Sequence, residues 1–485
     1  MLFNSFEFLF FLPTVFALYW ALNRCLRLQN LLVVAASYLF YGWWDWRFLV
    51  LIAFTSGWSY LSGLLELRDW DNPRSGRSKA ILTASLVVNL GILGYFKYCN
   101  FFLDQAVAAL RAIGFEAHAS TLQIILPVGI SFYTFQAASY MIDVYRRQIR
   151  PTKDPIAFFA FISFFPQLVA GPIERAVNLL PQFLKPRTFD YPLAVEGMRQ
   201  MLWGLFKKMV VADNCAVIAN HLLNDPTLTQ NGIAVWMGLF FFTFQIYGDF
   251  SGYSDIAVGS AKLFGIKLMR NFAYPFFSRS QHEFWARWHM SLMGWFRDYI
   301  YIPLGGGRVP RWKKARNTMI VFLTSGLWHG ARWNFVIWGG FYGLMFLPGI
   351  LLGRKSRKWT PLEDDDRLLP SFRETGAMVL TFFLFMVGFT SFRAPDIPTA
   401  LGWCTSMIGC GAQGFRLLRN VPHEASIALA AMLFMLVAEW FNRRCMYGFA
   451  RYPRSTLMRW IIYLVFIMLI VLYAPQSQSF VYFQF

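Results

Sequence analysis

Charge is what this chain has least of. Only 15% of its 485 residues are charged, against 56% hydrophobic, where soluble globular chains average about 25% charged and about 45–50% apolar. That balance excludes an ordinary soluble domain, and apolar runs repeated along the sequence indicate an all-α polytopic membrane protein. Acidic residues are the scarcer sign, 26 Asp+Glu against 45 Lys+Arg. The excess does not imply nucleic acid, because cytoplasmic loops of membrane proteins concentrate Lys and Arg and no soluble basic domain is visible. Cysteine is sparse: six are scattered without CxxC or Cys/His metal spacing. No metal site is therefore expected, and Cys404 and Cys410 read as free thiols rather than a bridge. The sequence also lacks a Walker A motif and internal repeats of the kind transporters carry. Residues 1–23 hold no basic residue ahead of the first apolar run, which argues against a cleavable signal peptide.

Crossing segments are expected near 5–22, 30–44, 47–66, 80–98, 122–143 and 196–218, with one near 156–172 interrupted by Pro166, Gly171 and Pro172. Others are expected near 233–249, 377–392, 426–442 and 459–474. With the N-terminus outside, the inward loops hold Arg24, Arg27, Arg68, Arg74, Arg77, Lys79, Arg146, Arg147, Arg150 and Lys153. Only Arg47, Lys97 and Arg111 fall on the other side, so the bias favours N-out. Arg443, Arg444, Arg451, Arg454 and Arg459 precede the last span, whereas the tail from Ala474 has no charged side chain. Both termini are expected outside the cytoplasm.

One histidine stands out against this background. His329 lies in Leu327-Trp-His-Gly-Ala331, inside the largely apolar run from Asn317 to Leu347. An ionisable group at membrane depth costs about 2.5–3.5 kcal/mol on insertion scales, so its presence there suggests a function, and imidazole is the side chain best suited to moving a proton near neutral pH. A histidine satisfied by packing is the alternative. Arg308 to Arg316 place one flank of this region inside, and Arg354 to Lys358 place the other inside too, so the segment is expected to be a hairpin. Its first arm, Asn317 to His329, is shorter than the roughly 20 residues of a full span. Two short arms meeting near His329 would put it deep in the bilayer, beside a central cavity.

Three further constellations carry potential chemistry. His289 sits in Phe284–Asp298, where Trp285, Trp288, Leu292 and Trp295 fall at helical spacing; an amphipathic helix at the membrane interface is the alternative to a site. Asp249, Ser251, Ser254 and Asp255 follow the run Trp236–Phe244 and either line a polar vestibule or cap the next helix. Gly305-Gly-Gly307 precedes a basic stretch that includes Arg311, Lys313 and Lys314. That loop has the composition to draw an acidic donor or cradle its phosphates, although topology alone accounts for the positive charge.

The motifs taken together resemble the membrane-bound O-acyltransferase family, in its bacterial alginate O-acetyltransferase branch. The likeness runs through Met1-Leu-Phe-Asn-Ser5, Leu126-Pro-Val-Gly-Ile-Ser-Phe-Tyr-Thr-Phe-Gln136 and Phe165-Pro-Gln-Leu-Val-Ala-Gly-Pro-Ile173. It continues through Asp249-Phe-Ser-Gly-Tyr-Ser-Asp255, Arg287-Trp-His-Met-Ser291, Arg297–Gly306, Leu327–Ala331 and the terminal Phe-x-Tyr-x-x-Phe. The resemblance implies a ring of about 11–12 transmembrane helices around a thin centre, with re-entrant or short helices. It implies His329 as the catalytic histidine and His289 as its companion. A helical core is expected over 1–458, with the chemistry at about 245–350, followed by a final span and exported aromatic tail over 459–485.

In that family an acyl group passes from a cytoplasmic thioester to an outer funnel. The expected function is therefore acetyl relay from acetyl-CoA, or another acyl thioester, across the bacterial inner membrane for O-acetylation of an exported polysaccharide such as alginate, cellulose or peptidoglycan. No permanently bound cofactor is expected. A periplasmic SGNH-type O-acetyltransferase is the expected partner, and the lipid bilayer the medium. Tyr482, the one hydroxyl of the six-residue tail, is a candidate acyl acceptor with His329 as base; the alternative is that Phe480, Tyr482 and Phe485 only plug or anchor. A sugar transporter and a non-catalytic export subunit are the rival functions.

Overall fold

Every regular element among the described residues is a helix. The structure, a computed structural model, describes residues 1–72, 75–116, 122, 124–353, 360–362, 364, 366–409, 424–475 and 480. Clustering of the chain gives two units, one of Met1–Ala194, Ser260–Met269 and Gly330–Arg332, the other of Val195–Gly259, Arg270–His329 and Trp333–Phe485.

The first unit holds α1 (Phe6–Ala21), α2 (Leu26–Gly42), α3 (Leu49–Arg68), α4 (Gly76–Leu93), α5 (Cys99–Ala112), α6 (Ile130–Tyr145), α7 (Pro155–Ser163), α8 (Phe165–Leu168) and α9 (Ala176–Phe183). Its starts are written in the sequence. Ser5 accepts from the Phe8 amide at the head of α1, and Asp154 accepts from the Ile156 and Ala157 amides at the head of α7, satisfying donors that a helix leaves open. Phe40 is fully buried and meets Phe3, Phe11 and Phe165. Pairing offsets the cost of burying one cluster of polar side chains: Arg187 donates to Asn30 Oδ1 at 2.6 Å, and Asn30 donates to the Phe183 carbonyl at 2.8 Å.

The second unit holds most of α10 (Tyr191–Leu205) and α12 (Gly232–Leu263), with α11 (Asp213–Asn224) between them. Then come α13 (Gln281–Arg287), α14 (Met290–Phe296), α15 (Arg311–His329), α16 (Trp333–Leu351), α17 (Phe372–Arg393), α18 (Ile397–Ile408), α19 (Glu424–Phe441) and α20 (Thr456–Tyr473). Among the described residues seven helical stretches are long and apolar enough to cross a membrane: Trp46–Arg68, Gly76–Ala112, Gly232–Leu263, Trp333–Leu351, Phe372–Arg393, Glu424–Phe441 and Thr456–Tyr473. This is a multi-pass membrane protein. The other expected segments are helical as well, but shorter or broken.

The structure departs from the sequence expectations at three places that bear on the site. First, α15 starts at Arg311, because Arg, Lys and Ala are good helix formers and carry the helix upstream. At 19 residues it is about 28 Å long, so the short-arm argument for the depth of His329 does not hold. The chain does turn back after His329, since α16 begins at Trp333. Second, the aromatic stripe is not one interfacial helix: the helix breaks at Trp288 and His289, and Trp285, Trp288, Leu292 and Trp295 are all buried. Third, α12 runs unbroken for 32 residues, which puts Asp249, Ser251, Ser254 and Asp255 inside a helix rather than at a cap.

Small residues bring α15 and α16 into backbone contact, as in close membrane helix pairs. A Cβ on Gly326 would lie 2.1 Å from the Phe335 carbonyl oxygen, and one on Gly339 would lie 2.1 Å from that of Phe322. The neighbouring Gly340 would meet only a Leu323 methyl at 3.5 Å. Gly339→Ala should therefore destabilise the protein by about 1–3 kcal/mol, as overpacking does, while Gly340→Ala leaves it unchanged. Thermal unfolding in detergent measures both; equal melting temperatures for the two variants would contradict the packing.

Candidate active site

His329 is the last residue of α15, and the turn back into α16 surrounds it with rings. Its imidazole lies 5.0 Å from the Trp328 ring, 4.9 Å from Trp338 on α16 and 5.6 Å from Phe392 on α17, centroid to centroid. It is 6% exposed. The other face of the site comes from the break between α13 and α14. His289 there has φ 46° and ψ 51°, a left-handed conformation that costs a non-glycine residue about 1–3 kcal/mol and recurs at functional positions. Packing holds the break in place. Phe284 and Trp285 on α13 meet Phe385 at 4.0 Å and Tyr342 at 4.9 Å, and the Met290 amide donates to the Asn271 carbonyl at 2.9 Å.

The two histidines thus flank one side chain: Trp328 is 5.8 Å from His289 and 5.0 Å from His329. His289 also meets Phe250 of α12 edge-on at 4.6 Å. Burial pulls the His289 imidazolium down to about 3, so the ring is neutral and can accept a proton. Its Nδ1 lies 3.2 Å from Asn271 Oδ1, while its buried Nε2 has no hydrogen-bond partner among the described residues.

Beside Asn271 opens a small polar recess, lined by Lys207, Tyr247, Asp255, Arg270, Asn271 and Glu439 among others. Its charges are organised by a widened, π-type turn over Phe206–Ala212, which buries two consecutive lysines. Lys207 reaches Asp255 at 2.5 Å and Ser251 at 2.9 Å; Lys208 reaches Asp249 at 2.7 Å and Asp213 at 2.8 Å. Glu439 on α19 accepts from the Tyr247 hydroxyl with both oxygens, at 2.8 and 2.9 Å. Among the described residues no three His, Cys, Asp or Glu side chains converge as metal ligands would.

Of the residues expected from sequence, His289 and His329 come together, and Asp249, Ser251, Ser254 and Asp255 face the lysines or the recess. Arg311, Lys313 and Lys314 do not join them. They form the first turn of α15, at the end opposite His329 and about 23–27 Å from it along the axis. Arg311 is exposed and the two lysines are half-buried. The amides of Gly305 and Gly306 are already donated to the Ile302 and Tyr301 carbonyls, each at 2.9 Å, so those glycines close a turn instead of offering donors to a phosphate.

Tyr482 lies outside the described residues, but Phe480 of the same tail is 1% exposed. Its ring sits 4.7 Å from Tyr253 and 6.1 Å from Phe250, the phenylalanine that packs on His289. Lys207, Lys208, Asn271 and Glu439 were not singled out from sequence. The signal existed for three of them, since two lysines inside Leu205-Phe-Lys-Lys-Met-Val-Val211 and a glutamate in Ala438-Glu-Trp440 are charges set in apolar runs.

The family profile of MBOAT, the membrane-bound O-acyltransferases, matches residues 75–386. A probable alginate O-acetylase of Azotobacter vinelandii is 40% identical over 442 residues, 90% of this chain and 84% of its own. One from Pseudomonas putida is 36% identical over the full length of both chains. The peptidoglycan O-acetyltransferase of Helicobacter pylori is 33% identical, covering 84% of this chain and 80% of its own. The profile takes in both His289 and His329, and the relatives cover more than four-fifths of the chain at 33–40% identity: this chain belongs to the membrane-bound O-acyltransferase family and is an O-acyltransferase.

Proposed function

We propose that this protein relays acetyl groups from a cytoplasmic thioester, acetyl-CoA, across the bacterial inner membrane for O-acetylation of an exported, alginate-like polysaccharide. The observation that carries the reading is the pairing of His289 and His329 across Trp328, with Phe480 of the tail seated on Phe250 next to His289. The relatives named as alginate O-acetylases support the substrate class, and loop charge supports a tail on the periplasmic side.

In this reading the phenol of Tyr482 attacks the thioester carbonyl. A C–O bond forms and the C–S bond breaks, while the phenolic proton passes to His329 and then to the departing thiolate. A phenol of pKa about 10 needs such a base near neutral pH. The acyl-tyrosine then hands its acetyl group to a periplasmic SGNH-type transferase, which delivers it to sugar hydroxyls. Arg311, Lys313 and Lys314, remote from the histidines, serve at the cytoplasmic face by attracting the acidic donor.

Three outcomes are expected. His329→Ala should reduce acetyl transfer by about 10²–10⁴-fold, the usual worth of a general base, in protein that still inserts; near-parental polysaccharide acetylation in a well-expressed mutant strain contradicts the assignment. Tyr482→Phe keeps the ring and removes the hydroxyl. It should lose acetylation, and mass spectrometry of the parental tail peptide should find an acetyl-tyrosine adduct, whereas full acetylation by the mutant reduces the tail to packing. Reversing Arg311, Lys313 and Lys314 to Glu should raise the apparent KM for donor at low ionic strength and less so in high salt; an unchanged KM would leave these residues as topology signals alone.

A further inference from the structure

The side chain of Asn271 touches His289 and the wall of the recess at once, and its orientation can be read from a backbone group. Asn271 Oδ1 lies 3.3 Å from the Ser291 amide nitrogen and 2.9 Å from Ser291 Oγ. Its Nδ2 donates to Ser254 Oγ on α12 at 3.1 Å. A backbone N–H can only donate, so the atom facing it must be the carbonyl oxygen; the flipped amide would set two donors against each other. The Ser291 hydroxyl, 3.5 Å from His289 Nδ1, is spent on the nearer Oδ1 at 2.9 Å, so the Nδ1 at 3.2 Å from Oδ1 carries the proton in the arrangement that sets no two acceptors against each other. The neutral ring then has its lone pair on Nε2, the buried nitrogen without a partner among the described residues.

We propose that Asn271 is a positioning residue of the acyl-transfer site, locking His289 in the Nδ1–H tautomer so that Nε2 presents a hydrogen-bond acceptor to the reacting groups. The same residue fixes the ring in place. Its backbone carbonyl takes the Met290 amide at 2.9 Å, immediately after the left-handed His289, while Phe250 and Phe272 border the imidazole. Ser291 completes the clamp by giving both its amide and its hydroxyl to Oδ1. A His289 held this way receives a proton or a hydrogen bond from a hydroxyl or thiol; it cannot donate from Nε2 without first being protonated. The proposal rests on the acyltransferase reading for what the lone pair meets, but the tautomer itself does not depend on the donor.

The ionisable groups on the elements packed around His289 and Asn271 include Asp249, Tyr253 and Asp255 on α12, Glu283 and Arg287 on α13, Lys207 and Lys208 on the π turn, Arg270, Tyr247, Tyr274 and Glu439 around the recess, and His329 beside Trp328. Asn271→Asp keeps an acceptor facing Nδ1 and adds a negative charge there, which stabilises the imidazolium by about 1–3 pK units. Protonated His289 is inactive as an acceptor, so the acid limb of the rate profile should move to higher pH by a comparable amount. Asn271→Leu removes the acceptor.

Nitrogen-15 spectra of the histidine-labelled full-length protein in lipid nanodiscs, with His289 assigned by difference from His289→Gln, read the tautomer directly. The parent should show Nδ1–H with bare Nε2, and Asn271→Leu should lose that preference; Nε2–H in the parent overturns the proposal whatever the enzyme's donor. In acetyl transfer from acetyl-CoA, Asn271→Leu should lower kcat by about 10²-fold with KM near parental. Asn271→Asp should recover most of that loss at alkaline pH. Equal losses in the two variants, or parental kcat in Asn271→Leu, also overturn it. If the parent transfers nothing from acetyl-CoA while its spectrum shows the Nδ1–H form, the donor assignment fails and the positioning role stands.

Discussion

A charge buried away from water must find its counter-charge, and in the second unit that requirement sets the register of α12. Two consecutive lysines enter the interior from the π turn between α10 and α11, and their carboxylate partners Asp249 and Asp255 lie nearly two turns apart on α12. Removing one member of a buried pair typically costs about 3–5 kcal/mol, because the survivor is stranded. Sliding α12 along its axis would take Asp255 from Lys207 and leave Lys208 with Asp213 of α11 alone. The same stretch carries Phe250 against His289, Ser254 against Asn271 and Tyr253 against the tail. The ion pairs therefore do more than neutralise charge: they index the face on which the site is assembled.

Against that indexed helix, the two histidines are delivered by different devices. His329 is placed by termination, as the final residue of a helix whose return arm approaches to backbone contact through Gly326 and Gly339. His289 is placed by a break, where a left-handed residue turns the chain between two seven-residue helices. Trp328 packs against both rings, at 5.8 Å from His289 and 5.0 Å from His329. Such an arrangement leaves each imidazole free to be tuned by its own neighbours, aromatic rings for His329 and an amide–hydroxyl pair for His289.

Much of this was legible in the sequence. The helical membrane class, the turn back after His329 and the choice of both histidines as candidates follow from apolar runs, flanking charge and motif likeness. The length of α15 was misjudged because hydropathy marks where a segment becomes apolar, whereas the helix continues through Arg311–Arg316 on propensity alone. The break at His289 was illegible because Trp285, Trp288, Leu292 and Trp295 keep helical spacing straight across it, and no residue pattern announces a positive φ at histidine. Lys207, Lys208 and Glu439 obey the rule that drew attention to His329, and were hidden only by lying in segments already explained as spans. Asn271 had no such signal; its role emerges only where loop 270–274 meets the α13–α14 break.

The last helix, the least buried of the seven spans found among the described residues, is held to the rest of the second unit by a few specific contacts. Phe466 lies 5.3 Å from Phe206, Arg199 donates to Tyr463 at 2.8 Å, and Asn214 donates to the carbonyl of Tyr473 at the end of α20. Phe480 thus reaches Phe250 from a fixed anchor only a few residues away. A tether that short confers an effective concentration in the millimolar range, so the tail's occupancy of its seat is independent of how many copies of the protein the cell makes. A separate peptide performing the same docking would have to be co-expressed in proportion; here stoichiometry is guaranteed by the peptide bond, and the seat is first order in protein at any dilution.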